Sequence, residues 1–90
     1  MAAGASSVQS GQMPTGGAYH LMGTARMGDD PSKSVVDKWG RAHDVQNLFV
    51  IDGSVMVTGG SVVVTSTIQT LALRTADYIK QNARNLLNAR

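Results

Sequence analysis

Cysteine is absent from the 90-residue sequence, and with it every disulfide and every thiolate-metal site. Glutamate is absent as well, so all six acids are aspartates. Aromatic residues make up only 4% of the chain, which leaves its basic side chains without the interleaved stacking set that nucleic-acid binding uses. No apolar run approaches the ~20 residues of a membrane-spanning helix. The opening MAAGASSVQSGQ has neither the basic start nor the apolar core of a secretory signal. These absences argue against a membrane span and against nucleic acid as a partner, and they make the cytoplasm the default location.

What is present fits one small domain with a thin core. The hydrophobic fraction of 42% is ordinary for a globular chain. With no cysteine to reinforce so short a chain, oligomerisation is the remaining common means of stabilising it. The net charge is +2. The C-terminal part carries Arg74, Lys80, Arg84 and Arg90 against Asp77 alone, a distribution that reads as cations complementing a helix dipole.

Residues 1–18 are rich in Gly, Ser and Ala, a composition that buries too little apolar surface to offset ordering entropy, so a flexible segment is expected there. Residues 19–90 form the expected domain. Tyr19 to Met27 lacks a clean period and is read as extended or looped. Asp29-Asp30-Pro31-Ser32 reads as a turn, and Gly40 closes another after Trp39. Two short strands are expected, Ser34 to Asp37 and Asn47 to Asp52, the second an apolar run that implies burial on both faces.

Ile68, Leu71, Ala72, Ala76, Ile79, Ala83, Leu86 and Leu87 recur at spacings of three and four, which predicts a long amphipathic C-terminal helix capped by a hydroxyl of Thr65, Ser66 or Thr67. The fold class is therefore α/β or α+β: two or three short strands and one long helix, stabilised by oligomerisation.

The order and wording of three blocks are more specific than any motif alone: YHLMGTARMG, then SVVDKWGRAHDVQNLFVIDGSV, then GGSVVVTSTIQTLALRTADYI. Over about residues 14 to 80 the chain resembles the C-terminal segment of the glucose-methanol-choline (GMC) family of FAD-dependent oxidoreductases. The resemblance implies oxidation of an alcohol or sugar hydroxyl. His20, in the His-x-x-Gly-Thr block, corresponds to the family histidine that faces the flavin and takes the hydroxyl proton, a task suited to a group with an unperturbed pKa near neutrality. Asp52 and Gly53 correspond to the strand end that approaches the FAD ribityl and diphosphate. Val64 and Thr65 correspond to the start of the helix whose amides and dipole meet the flavin pyrimidine edge.

Two departures stand out. Where the family reads Gly-x-Asn-Pro-x-x-Thr-Ile, this chain has Val63 and Val64 for Asn and Pro, so the second polar partner of the substrate hydroxyl is replaced by a side chain that forms no hydrogen bond. The Gly-x-Gly-x-x-Gly turn of the family's dinucleotide-binding unit does not occur in the sequence. The expectation is a family fragment that retains no FAD by itself and is inactive as a dehydrogenase alone, its FAD-binding domain supplied by another chain or its uncovered apolar surface covered by self-association. Proline's removal also frees Val62 to Val64 to pair as a strand.

Taken apart from the resemblance, single residues have blander readings. His20 and His43 have no further ligand at metal-binding spacing, so no metal is expected. His43 is read as a turn or surface residue and Trp39 as a packing anchor. A nucleophilic Ser54 served by His20 or His43 is a distant alternative, since Asp-Gly-Ser-Val-Met is not the Gly-x-Ser-x-Gly elbow of hydrolases.

Overall fold

The computed structural model describes residues 4–11, 20–60 and 62–88. Most of the segment expected to be flexible, and Tyr19 at the start of the expected domain, lie outside these residues; residues 4–11 are exposed and in no regular element.

One long helix organises the molecule. Helix α1, Thr65–Asn88, has 24 residues and so is about 36 Å long at 1.5 Å per residue. It forms where the apolar period predicts it. Ile68, Leu71, Ala72, Ile79 and Ala83 are half-buried, and Leu86 is buried, whereas Ala76 is exposed and Thr75 takes the buried place beside it.

The expected hydroxyl cap is not what starts α1. Thr65, Ser66 and Thr67 fall inside the first turn, Val64 precedes it, and the Val64 carbonyl accepts the first helical bond from Ile68 N at 3.0 Å. The cause is local packing: Val64 is 6% exposed, so burial of its side chain fixes where the helix begins. Among the described residues no base lies in the last turn of α1, Arg84 standing just before it, and Arg90, one of the cations expected to complement the dipole, lies outside the described residues.

The two expected strands appear, among the described residues, only as isolated bridges. Val36 pairs in parallel with Met27 and antiparallel with Ala42, and Arg41 pairs antiparallel with Phe49. Turns on both sides prevent a longer ladder. Asp37 accepts from the Trp39 amide at 2.7 Å and the Arg41 amide at 3.1 Å, and Gly40 donates to Asp37 O at 2.9 Å, so the chain reverses directly after Val36. Gly40 has φ +74°, and a Cβ there would lie 2.6 Å from Val50 O; no other residue type suits the position. The partner of the Asn47–Asp52 run is consequently the short stretch at 40–42, joined by Ala42 N to Leu48 O at 2.9 Å and Val50 N to Gly40 O at 2.8 Å.

Among the described residues the other edge of that run has no bridge partner, and Leu48 and Ile51 remain 48% and 40% exposed. Burial on both faces therefore does not hold among the described residues. Val62 and Val63 likewise form no bridge with any described residue and are exposed. The result is a bridged loop unit docked on a helix.

Docking rests on an aromatic cluster. Trp39 stacks on Tyr78 of α1 with ring centroids 4.5 Å apart and planes 9° from parallel, and the Arg74 guanidinium lies 4.2 Å from the Trp39 ring. Thr75 Oγ1 donates to Trp39 O at 2.9 Å and Arg74 donates to Lys38 O at 2.6 Å. Phe49 reaches Tyr78 in a tilted contact at 6.5 Å. Trp39 is thus the packing anchor expected of it. At the hub of the loop unit Val36 is fully buried, a burial that contributes about 1.5–3 kcal/mol.

Candidate functional site

The three sequence blocks meet around one glycine. Ala25 N donates to Ser54 O and Met27 N to Val55 O, both at 3.0 Å, which seats the end of the HLMGTARM block alongside the 3-10 turn Gly53–Val55. A Cβ built on Gly53 would meet Ile68 Cδ1 of α1 at 3.5 Å, Leu21 O at 3.8 Å and Met22 Cγ at 3.9 Å. The His-block, the Asp-Gly-Ser turn and the first turn of α1 are therefore mutual neighbours. The Gly-Gly loop closes the same corner: a Cβ on Gly59 would lie 3.3 Å from Met22 Cε.

Asp52 has a definite local task. Extended at φ −130° and ψ −170°, it caps the 3-10 turn, and its Oδ1 accepts from the Ser54 amide at 2.8 Å and from the Ser54 hydroxyl. The hydroxyl bond, then the amide bond, hold its carboxyl below the ordinary value of 3.8 despite a small opposing effect of burial. Ser54 thus directs its hydroxyl proton to Asp52, not to an imidazole.

His20 is exposed. Val63 is 66% exposed and offers no hydrogen-bonding group, whereas the adjacent Val64 is buried, so the two valines that stand in the Asn-Pro place divide between surface and packing. Thr65, Ser66 and Thr67 have no intrahelical acceptor for their amides, as geometry dictates for the start of any helix. That donor set is what an anionic flavin edge would need. Within the chain a methyl group on Gly53 would make only ordinary contacts. Among the described residues no group of His, Asp or other ligands could hold a metal ion, and no helix is long and apolar enough to cross a membrane.

Two features escaped the sequence reading. His43, read as a turn or surface residue, lies in a bend but is half-buried, with Nε2 3.0 Å from Ser34 Oγ and 3.1 Å from Gly28 O, so it ties two turns together. Its signal was weak because its partners are a hydroxyl and a carbonyl brought from separate turns. Beside these turns lies a polar cleft of about 490 Å³ lined by Thr24, Arg26, Ser32, Lys33 and Ser34 among others. Arg26 stands in the middle of the GTARMG block, and only the fold, which brings Lys33 to the lining of the same cleft, marks the pair. A second cavity, of about 310 Å³, is apolar and lies between Asn47 and Phe49 on one side and Ile79, Ala83 and Leu86 of α1 on the other.

Comparison with known sequences bears on the family. The sequence model of the GMC oxidoreductase C-terminal domain matches residues 4–72. The chain is 51% identical over 72 residues to the 2-methyl-1,2-propanediol dehydrogenase of Mycolicibacterium austroafricanum, covering 80% of this chain and 13% of that protein. It is 51% identical over 63 residues to the 6'''-hydroxyparomomycin C oxidase of Streptomyces lividus, covering 70% of this chain and 12% of that protein. It is 50% identical over 60 residues to the fructose dehydrogenase large subunit of Gluconobacter japonicus, covering 67% of this chain and 11% of that protein. No solved structure matches the chain.

The chain belongs to the GMC oxidoreductase family, whose members are typically FAD-dependent. It spans about an eighth of the length of the curated relatives it matches.

Proposed function

We propose that these 90 residues form the C-terminal, substrate-facing part of a GMC-type oxidoreductase site for an alcohol or sugar hydroxyl, and that alone they are not a competent dehydrogenase. The observation that carries this reading is the convergence on Gly53 of the His-block, the Asp-Gly-Ser turn and the start of α1. In the proposed site His20 accepts the hydroxyl proton, which an imidazole does readily near neutral pH. The free amides of Thr65, Ser66 and Thr67 would help to hold FAD at the start of α1, where the helix dipole favours negative charge. Asp52 holds the turn that would set Gly53 and Ser54 against the cofactor. FAD, when bound, supplies the hydride acceptor.

Val63 gives this site its particular character, because it leaves the proton-accepting histidine without a second polar partner for the substrate hydroxyl. The adenosine and diphosphate need a dinucleotide-binding unit, which another chain or another part of the polypeptide supplies. The test is direct: protein mixed with FAD and then desalted retains no yellow flavin absorbance. Stoichiometric retention would overturn the claim that this part does not hold the cofactor alone.

One observation favours a second reading, self-association. Leu21, Val57, Val62 and Val63 are 64–79% exposed, and all belong to the segments that frame this site. On this reading the patch is covered by a second copy. Light scattering at micromolar concentration then gives at least the dimer mass, and a compact monomer sinks the idea.

A further inference from the structure

The polar cleft shares the stretch of residues 23–26 with the convergence at Gly53 but has its own chemistry. Its walls are pinned from both sides: Val35 N donates to Arg26 O at 3.0 Å, Gly28 N donates to Val36 O at 2.9 Å, and Met27 bridges Val36. Two cationic side chains, Arg26 and Lys33, line it, and no carboxylate does. Among the described residues the one ion pair is Lys33 Nζ with Asp30 Oδ2, at 3.8 Å and largely exposed, and Arg26 has no carboxylate partner.

Not every hydroxyl in the cleft is available. Ser32 Oγ donates to Asp30 Oδ1 at 2.7 Å and Ser34 Oγ donates to Asp30 O at 2.6 Å. The donors left for a ligand are the Arg26 guanidinium, the Lys33 ammonium and the Thr24 hydroxyl. Asp30 stands beside Lys33, and the Ser32 hydroxyl and amide keep its carboxylate ionised. Arg26 and Lys33 against Asp30 leave one net positive charge at the cleft, which suits a monoanion better than a phosphate dianion. A volume of about 490 Å³ accommodates more than the anionic group, and Val35 supplies an apolar wall.

We propose that this cleft is a binding site for a small organic carboxylate, held by the two parallel N–H groups of the Arg26 guanidinium with Lys33 and Thr24 assisting, and with its aliphatic part against Val35. Planar guanidinium and planar carboxylate match in a way that an ammonium does not, so Arg26 carries most of the affinity.

The test is amide NMR of the full chain titrated with butyrate, with n-butanol and sodium chloride as neutral and ionic controls and inorganic phosphate as the dianion. Butyrate should give saturable shifts at Thr24, Arg26, Lys33 and Val35, with a dissociation constant on the order of 1 mM. Arg26→Gln should weaken it roughly tenfold, the loss of a charge-assisted pair. Arg26→Lys, which keeps the charge and loses the fork, should fall between, and it decides the matter if Arg26→Gln does not fold. Shifts that butanol or chloride reproduce, shifts that do not saturate, tighter binding of phosphate, or butyrate binding unchanged in both variants would each overturn the proposal.

Discussion

The two ends of the loop unit are built on different terms. Around Trp39, a stacked Tyr78, the Arg74 cation, the Thr75 hydroxyl and the left-handed Gly40 turn specify one arrangement, and each contact has an identified partner. Around Gly53, short main-chain bonds bring the family blocks together, but Leu21, Val57, Val62 and Val63 stand largely exposed. The packed end holds the chain in shape. The exposed end carries the groups proposed to meet cofactor and substrate, and its apolar side chains are left for something else to cover. The residues proposed for the site and the residues that dock the helix are thus different, although both lie in the family-like blocks.

Substitutions can break that contrast. The largest effect is expected for Trp39→Ala, which removes the stack, the cation contact and the docking surface of α1 together, and should cost about 2–3 kcal/mol. Thermal melting followed by helical circular dichroism measures it; a loss below about 0.5 kcal/mol, the range of ordinary surface substitutions, would mean that α1 docks by other means.

A matched pair of glycine substitutions sharpens the comparison. Gly40→Ala places a methyl group 2.6 Å from Val50 O at φ +74° and should cost about 2 kcal/mol. Gly53→Ala meets no atom closer than 3.5 Å and should stay within about 0.5 kcal/mol. Equal losses from chemical denaturation of the two variants would erase the distinction between the ends.

The smallest effect is electrostatic. Because the folded carboxyl of Asp52 titrates below 3.8, its bonds to Ser54 contribute in full above the unfolded value and are lost as pH falls through the folded one. The 3-10 turn should therefore loosen only at pH below about 3.8, with no change near neutrality. Side-chain carboxyl NMR should place the Asp52 midpoint under 3.8 and raise it in Ser54→Ala, partway only, since the Ser54 amide remains. A midpoint that Ser54→Ala leaves in place would remove the hydroxyl as its cause.

Sequence alone made α1 legible because apolar residues at helical spacing over more than five turns can satisfy only one geometry, and burial of Leu86 and half-burial of Ile68 and Ile79 follow. The turns at Asp30-Pro31 and Gly40 were legible for the same reason, local chemistry: Lys33 N donates to Asp30 O at 3.0 Å and Gly40 N to Asp37 O at 2.9 Å. The strands were not. β-branched content at Val35-Val36 and the apolar run at Leu48–Ile51 report a readiness to pair, but the length of a ladder depends on the partner, and turns on both sides of Val36 cut that partner short. His20, Asp52, Gly53, Val63, Val64 and Thr65 were legible as positions through the resemblance of three blocks. The approach of Leu21, Met22 and Ile68 to Gly53, and the burial of Val64 beside an exposed Val63, required the folded chain.

Gly40 also bears on the order in which the molecule assembles. Its turn lets 40–42 meet 48–50 across a short loop, a closure with a small entropic cost, and Val36 can join Ala42 at once. The bonds from Thr75 and Arg74 to Trp39 and Lys38 span 36 residues and close a far larger loop. Nearest-neighbour closures should come first, so the small loop unit is a preformed platform on which a nascent helix lands, and Trp39 fluorescence in a stopped-flow experiment would record the landing as the later event.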